Sequence, residues 1–425
     1  HLFIYIILVN FKTNIIELLN KMRSSMTIKE LSQEYFHKIC VVGGGITGAI
    51  MVLLLKNSNV FKLSDIGWIN PNLKSKYDFR TTFYNETSLE LLNNLNVLKK
   101  LKKNDYTSVK KIRVFGPNHN LPLEWDYLDT KKEFGAVIKN DVVLSKIENQ
   151  LKDIKQYNTL VNNTKCNKFE RTLYLDNKTS INTHLVLSAD GKNSYLRNLL
   201  SVKTISKNTK HIAISGFLEQ SNNHYSTAIQ AFTKIGPIGI LPYGNTNLVN
   251  FVLSIEKVKY KKLLSEKNPE NFICNELNSF FSSNDLIFNP VKNFKKLENQ
   301  LSSWDLNLNL VPNPTSSRAI LIGDAAHSIH PLAGQGLNLS LRDCVSAMHA
   351  IKNCLKFGND LGDKSILRLY KSDRLPKTIS MTAFTDFMFF GFTSTSSKTQ
   401  TLLTKGMENL NKTNLKNVFR NLASV

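Results

Sequence analysis

Apolar positions along this chain fall into short β-rich runs broken by glycine, asparagine and lysine, with a few stretches of helical period. His37–Val42 ends in the unbroken run Ile39-Cys40-Val41-Val42, as a strand buried on both faces requires. Gly43–Gly48 follows, and then apolar Ala49–Leu55, which predicts a buried helix. Ile66–Asn70, Leu185–Ala189 and Arg318–Ile322 predict further strands of the same buried kind. From Leu339 to about Lys356, residues Leu341, Val345, Met348 and Leu355 mark the apolar face of a helix. Between 205 and 260 the pattern changes. His211–Leu218, Ala228–Phe232, Ile238–Tyr243 and Leu248–Ile255 are punctuated by Gly and Asn, as antiparallel strands are. With Lys111–Phe115 and Leu121–Tyr127 they predict a separate sheet layer.

The first strand, turn and helix enclose GGGITG, a GxGxxG in the context that gives the motif its meaning. Gly43 permits the tight turn, Gly45 lets a pyrophosphate approach the backbone, and Gly48 lets helix and strand pack closely. The helix start, with Ile46 and Thr47, then offers free N–H groups to phosphates. The acid expected at the end of the second strand is replaced by Asn70, which can bond a ribose hydroxyl without charge. Asp65 reads as a turn residue.

The length of 425 residues predicts two or three domains, and 42% hydrophobic content excludes global disorder. The longest uninterrupted apolar run, Leu2–Val9, is far short of the ~20 residues a spanning helix needs. Net charge is +22, carried by 55 basic against 33 acidic residues, and only ten of the basic ones are arginine. The lysines are scattered singly or in pairs, not clustered with aromatics, so no nucleic-acid partner is expected. Five separated cysteines without a CxxC argue against a disulfide framework or structural zinc. His327 and His330 could suggest a metal, but Pro331 directly after His330 breaks the helix there, so the rings need not share a face; no third ligand lies nearby in sequence, and no metal is expected. Residues 1–25 lack the marks of a secretory signal, and with one arginine and Glu17 they make a weak presequence. Met22 or Met26 could be the natural start.

A second strand end carries more specific chemistry. Ile322-Gly323-Asp324 places a carboxylate where it can accept from a sugar-chain hydroxyl. Gly334-Gln335-Gly336 leaves backbone N–H groups bare at a helix start, which stabilises negative charge on a bound ring. The string GDAAHSIHPLAGQGLNLSLRD (323–343) resembles the fingerprint of the ubiquinone-biosynthesis hydroxylases, FAD-dependent aromatic monooxygenases of the p-hydroxybenzoate hydroxylase type. Ala189-Asp190-Gly191, with Ser194 and Arg197, resembles the family's ADGxxSxxR motif. Looser likenesses lie at Asp78–Thr82, Phe134–Asn140, Gly239–Pro242, Tyr370–Arg374 and Met381–Phe387, so the resemblance spans about 37–390. Lys139 stands where the family usually has an acid.

The resemblance implies an α/β fold: a Rossmann-like FAD-binding domain with an inserted antiparallel β-sheet substrate domain and a helical C-terminus. The expected boundaries are an N-terminal extension (1–36), the FAD-binding domain (37–110, 136–204, 306–356), the substrate domain (111–135, 205–305) and a C-terminal helical region (357–425). It implies FAD contacts from Gly43, Gly45, Ile46, Thr47, Gly48, Asn70, Arg80, Asp190, Gly191, Gly323, Asp324, Pro331, Gly334, Gln335, Gly336, Leu337 and Asn338. His211, Tyr225, Gln230, Phe232 and Tyr243 are candidate substrate contacts on the sheet. No side-chain acid or base stands out.

The implied reaction is hydroxylation of a polyprenylated phenol by dioxygen through a flavin hydroperoxide, with NAD(P)H or an electron-transfer protein as reductant. Such a lipid-like substrate implies work at a membrane surface, within a ubiquinone-biosynthesis complex. The expected location is cytoplasmic, peripheral to the inner membrane, or alternatively the matrix face of the mitochondrial inner membrane. Lys398–Val425 fits, with Leu403, Met407, Leu410, Leu415, Val418, Phe419 and Leu422 at helical spacing among Lys398, Lys405, Lys412, Lys416 and Arg420. Alternatives on the same fold are a flavin-dependent prenyl reductase and a non-enzymatic prenyl-binding escort protein.

Overall fold

A computed structural model describes residues 33–71, 80–117, 122–244, 246–291 and 301–394, together with 396, 398–399, 401, 403 and 405–406. Most of the basic amphipathic segment expected over 398–425, and nearly all of the extension over 1–36, lie outside the described residues.

The first sheet carries Thr315–Ser316, Ala319–Leu321, Ser180–Ser188, Glu34–Val42, Ile66–Ile69 and Lys155–Tyr157 side by side in that order. Its central pairs are parallel, with Val41 opposite both Leu187 and Trp68. The central stretches Ile39–Val42, Leu185–Leu187 and Ala319–Leu321 are apolar because both faces are covered there. Ile39 and Val41 join the core under the helices Ile46–Lys56 and Gln335–Lys356, whose Ile50, Leu53, Leu341 and Ile351 lie in the same cluster. Cys40 and Val42 point the other way, toward Tyr157, Leu173 and Leu196. Burial of this kind contributes about 1.5–3 kcal/mol per large side chain. The first strand begins at Glu34, so residues 34–36 belong to the sheet and not to an extension.

The second sheet runs His327–Ser328, Ser302–Leu310, Ile205–Gln220, Leu248–Glu256, Gly236–Pro242, Thr227–Thr233, Lys111–Phe115 and Leu123–Asp126. It is antiparallel except where Thr227–Thr233 pairs in parallel with Lys111–Phe115. Between those strands the chain passes through the first sheet, so no hairpin dictates their relative direction. The expected boundary at 305/306 falls inside Ser302–Leu310 and is corrected. Trp304, Leu306, Leu308 and Leu310 alternate with polar residues straight across it, which is the signature of one strand. Helices Lys257–Ser265 and Pro269–Phe280 cover one face of this sheet through Leu263, Ile273 and Leu277. A third, three-stranded sheet joins Thr81–Asn85, Gly135–Lys139 and Tyr106–Val109.

The segments around Tyr370 and Met381 form one helix, Lys364–Thr393, capped by Asp363 and containing Pro376. Its aromatic residues lie across the second sheet: Phe389 and Phe392 cluster with Phe232, Leu123 and Leu332.

Candidate cofactor and substrate cavity

One cavity of about 1920 Å³ lies between the two sheets and the Pro376 helix. Gly43, Gly45, Ile46 and Thr47 form one part of its wall. Gly43 holds φ at +130°, and a Cβ there would lie 2.1 Å from Ala189 O. A Cβ on Gly48 would lie 2.2 Å from Gly43 O, so Gly48 sets the helix–turn distance. Gly45 has nothing within 4 Å of that position and opens to the cavity. The turn is pinned by Trp68 Nε1, which donates to Gly43 O at 2.9 Å, and by Gly43 N, which donates to Ile69 O at 2.9 Å.

The helix Ile46–Lys56 starts without a side-chain cap and without an acid in its first turn. The helix Gln335–Lys356 starts the same way, from Gly334 at φ +65°. By contrast Asn85, Asp126, Ser194 and Asp363 each cap their own helices, and the helix Asn140–Glu148, which also reaches the cavity without a side-chain cap, carries Asp141 in its first turn. The two starts with neither cap nor acid line the same cavity, so their N–H groups and dipoles favour an anionic ligand there.

Asn70 is buried with its amide against Gly44: a Cβ on Gly44 would lie 1.8 Å from Asn70 Oδ1. Arg80 is exposed at the cavity rim, its guanidinium 5.7 Å from the ring centre of Trp304. Asp190 lines the cavity, but its carboxylate is engaged within the chain. Oδ1 accepts from Ser188 Oγ and Ser194 Oγ, each at 2.6 Å, and Oδ2 accepts from Leu196 N at 3.0 Å. Arg197, expected in the same motif, is buried and donates to Ala325 O and Lys192 O. The motif therefore anchors the short helix Tyr195–Leu199, and what it offers a ligand is backbone and the open Gly191 at φ +86°.

Asp324 faces the cavity, so its surface is open to solvent although it lies deep among protein atoms. That depth pushes its carboxyl above the ordinary range, against the opposing pull of His327, Arg80 and Lys192. Behind it lies a buried network that sequence reasoning missed. Asp343 Oδ2 accepts from His327 Nε2 at 2.6 Å and from Gly323 N at 2.8 Å, while Oδ1 accepts from Arg374 Nε at 2.7 Å. The pattern held a signal: Leu339, Asp343 and Ala347 are spaced by four, so an acid stands in an apolar stripe.

Pro331, Gly334, Gln335, Gly336 and Leu337 line the cavity, whereas Gly48, Gly323 and Asn338 do not. Those three stand directly behind the wall and shape it. Gly323, at φ +60°, packs against Thr47 and Ser340. Asn338 Nδ2 donates to Phe83 O at 2.8 Å and to Gly334 O at 3.1 Å, and its Oδ1 accepts from Asn85 N at 3.1 Å. Asn338→Ala is expected to destabilise the fold by about 1–3 kcal/mol by orphaning these buried backbone groups, read as a lower urea midpoint.

The far end of the cavity is apolar. Ile112, Val114, Leu123, Trp125, Phe232, Leu332, Phe384, Met388 and Phe392 line it, with Gln230 as a polar side chain on the sheet wall. Gln230 Nε2 donates to Ile238 O at 3.1 Å. Of the other expected substrate contacts, His211, Tyr225 and Tyr243 do not line the cavity. His211 packs edge-on to Phe389, and Tyr225 is exposed. The Pro376 helix supplies Phe384, Met388 and Phe392, which sequence reasoning had not placed in the site. Among the described residues no cluster of His, Cys, Asp and Glu could hold a metal ion.

A family model described as an FAD binding domain matches residues 37–385. The chain belongs to this FAD-binding family. The family's cofactor suits the cavity: a glycine turn where a Cβ would collide, open space at Gly45 and Gly336, and two helix starts with neither a side-chain cap nor a first-turn acid. Ubiquinone biosynthesis monooxygenase COQ6, mitochondrial, of Dictyostelium discoideum is 26% identical, over 96% of this chain and 95% of its own. Its Homo sapiens counterpart is 24% identical, over 89% and 90%. Among solved structures, p-nitrophenol 4-monooxygenase PnpA from Pseudomonas putida superposes with a TM-score of 0.72 at 17% identity, covering 92% of this chain and 97% of its own. Klebsiella pneumoniae HpxO, complexed with FAD and uric acid, gives 0.67 at 12% identity, covering 91% and 96%. These structures share the fold: a Rossmann-like α/β domain carrying a second sheet and C-terminal helices.

Proposed function

We propose that this chain is an FAD-dependent monooxygenase that hydroxylates the aromatic ring of a polyprenylated phenol in ubiquinone biosynthesis. The observation that carries the reading is the continuity of one cavity, from an anion-favouring glycine turn to an apolar chamber. The COQ6 relatives, matched over nearly their whole length, support the substrate class. Bound FAD supplies the activation of dioxygen. The chain's own residues do the rest. The turn at Gly43–Thr47 holds the pyrophosphate, Asp324 accepts from a sugar-chain hydroxyl, and Arg80 flanks the rim. The start of the Gln335 helix stabilises negative charge on the ring system. Phe232, Leu332, Phe384 and Met388 take the ring and the first part of the prenyl chain and exclude water.

NAD(P)H or an electron-transfer protein serves as reductant in this reading. The COQ6 relatives are mitochondrial by name, which favours the matrix face over a cytoplasmic location. No helix among the described residues is long and apolar enough to cross a membrane; peripheral attachment is part of this reading. The basic balance supports attraction to anionic lipid and a partner complex there.

The test is turnover of FAD-reconstituted protein with a short-chain prenylated phenol, a reductant and isotopically labelled dioxygen. The expected product gains one labelled oxygen on the ring. A product that gains hydrogen and no oxygen replaces this reading with the prenyl reductase. Protein that cannot be loaded with FAD leaves only the escort.

A further inference from the structure

The loop 328–334 and the Pro376 helix meet in a buried seam behind the cavity wall. His330 is fully buried there, and neither of its ring nitrogens has a hydrogen-bond partner. Asp386 Oδ1, on the helix, is also buried without one. The two face each other, Nε2 to Oδ1, across 3.6 Å. That is a few tenths of an ångström beyond a hydrogen bond.

The surroundings hold this pair in register. The His330 ring stacks on Phe389, with centroids 3.7 Å apart and planes at 11°, and Phe390 meets its edge. Lys207 Nζ sits 3.7 Å from the Phe390 ring centre and 3.6 Å from Asp386 Oδ2. Burial, helped by nearby His211 and Lys207, pushes the His330 imidazole down to about 3. The ring is therefore neutral at physiological pH and keeps one N–H to donate.

A buried donor and acceptor left facing each other, unjoined, are unfavourable, and native structures rarely leave them so. Neither group lines the cavity, but their chain neighbours do. Pro331 and Leu332 line it from the loop, and Phe387 and Met388 from the helix. The seam thus joins the cofactor side of the cavity to its apolar side.

We propose that His330 and Asp386 are a latch, in which filling the chamber settles the helix onto the loop and His330 Nε2–H donates to Asp386 Oδ1. This rests on the monooxygenase reading above, with the phenol in the apolar chamber. His330 is then a positioning residue: it touches neither substrate nor cofactor, but links the walls that hold them. Because the loop reaches the cofactor side through Pro331 and the chamber through Leu332, and the helix lines the chamber, the two ligands bind cooperatively, and the coupling is reciprocal.

The experiment titrates FAD into FAD-free protein, by flavin fluorescence, with and without a short-chain prenylated phenol. In the wild type the phenol tightens FAD roughly three- to tenfold, the worth of one hydrogen bond. His330→Phe keeps the stacked ring but no nitrogen, and Asp386→Leu removes the acceptor. Each is expected to abolish the enhancement while FAD affinity without phenol stays at the wild-type value. The double variant loses nothing more, and Asp386→Asn, which keeps an acceptor oxygen, restores most of it. Full enhancement in either single variant overturns the latch, as does a wild type that binds the phenol without tightening FAD. A wild type that binds no prenylated phenol removes the functional reading, and the latch with it.

Discussion

Asp343→Ala is expected to cost about 3–5 kcal/mol of folding stability and to strip the protein of its flavin. The carboxylate is fully buried and serves three donors at once: His327, Gly323 N and Arg374. Burial by itself pushes this carboxyl up, but His327 and Arg374 together overcome it and hold the group below the ordinary range. Removing it leaves the Arg374 guanidinium buried and uncompensated, which is the expensive way to break a buried pair. A folded value below the unfolded one means the contribution is complete above about pH 4 and is lost as pH falls through the folded value. The gap between wild-type and variant urea midpoints should therefore be wide at neutral pH and narrow in acid. The flavin is lost because Gly323 N has no other anchor among these contacts, and Gly323 carries Asp324 into the cavity. A variant that retains stoichiometric FAD would show that the loop holds its shape without Asp343.

That network marks the limit of what the chain revealed as a string. The glycine turn was legible because each glycine has a local reason, and the geometry supplies it at Gly43, Gly45 and Gly48. The buried strands were legible because a doubly covered strand has no polar alternation to hide it. The second sheet was legible except at its end, where the break was drawn through Trp304–Leu310 despite the alternation there. Asp190 lines the cavity, as expected of it, but its internal bonds were not legible for a different reason. A carboxylate that caps a helix and one that faces a ligand share the same sequence pattern, and only the bonds to Ser188, Ser194 and Leu196 N tell them apart. The chamber was hidden because its far wall comes from a helix distant in sequence, bringing Phe392 to 4.3 Å from Phe232, ring centre to ring centre. Long-range packing of that kind leaves no periodic trace in either segment alone.

Two substitutions in the glycine turn should separate folding from binding, with opposite signs. Gly48→Ala puts a methyl 2.2 Å from the backbone oxygen of Gly43, which no rotamer change relieves. The expected loss is about 1–3 kcal/mol or more, and the displaced turn binds FAD poorly as well. Gly45→Asp behaves differently. Gly45 is the N-cap of its helix, with φ −76° and ψ 178°, a conformation open to any residue, and its Cβ direction is empty. An aspartate there can accept from the helix N–H groups that have no side-chain cap, so FAD-free protein should gain a few tenths of a kcal/mol. The same carboxylate occupies the donors reserved for the pyrophosphate and repels it. FAD affinity should then fall at least tenfold, or ~1.4 kcal/mol. Urea melts of FAD-free protein, set beside FAD titrations, read both quantities. If Gly45→Asp binds FAD as tightly as the wild type, the phosphates do not sit on this helix, and the uncapped start of the Gln335 helix becomes the place to look for them.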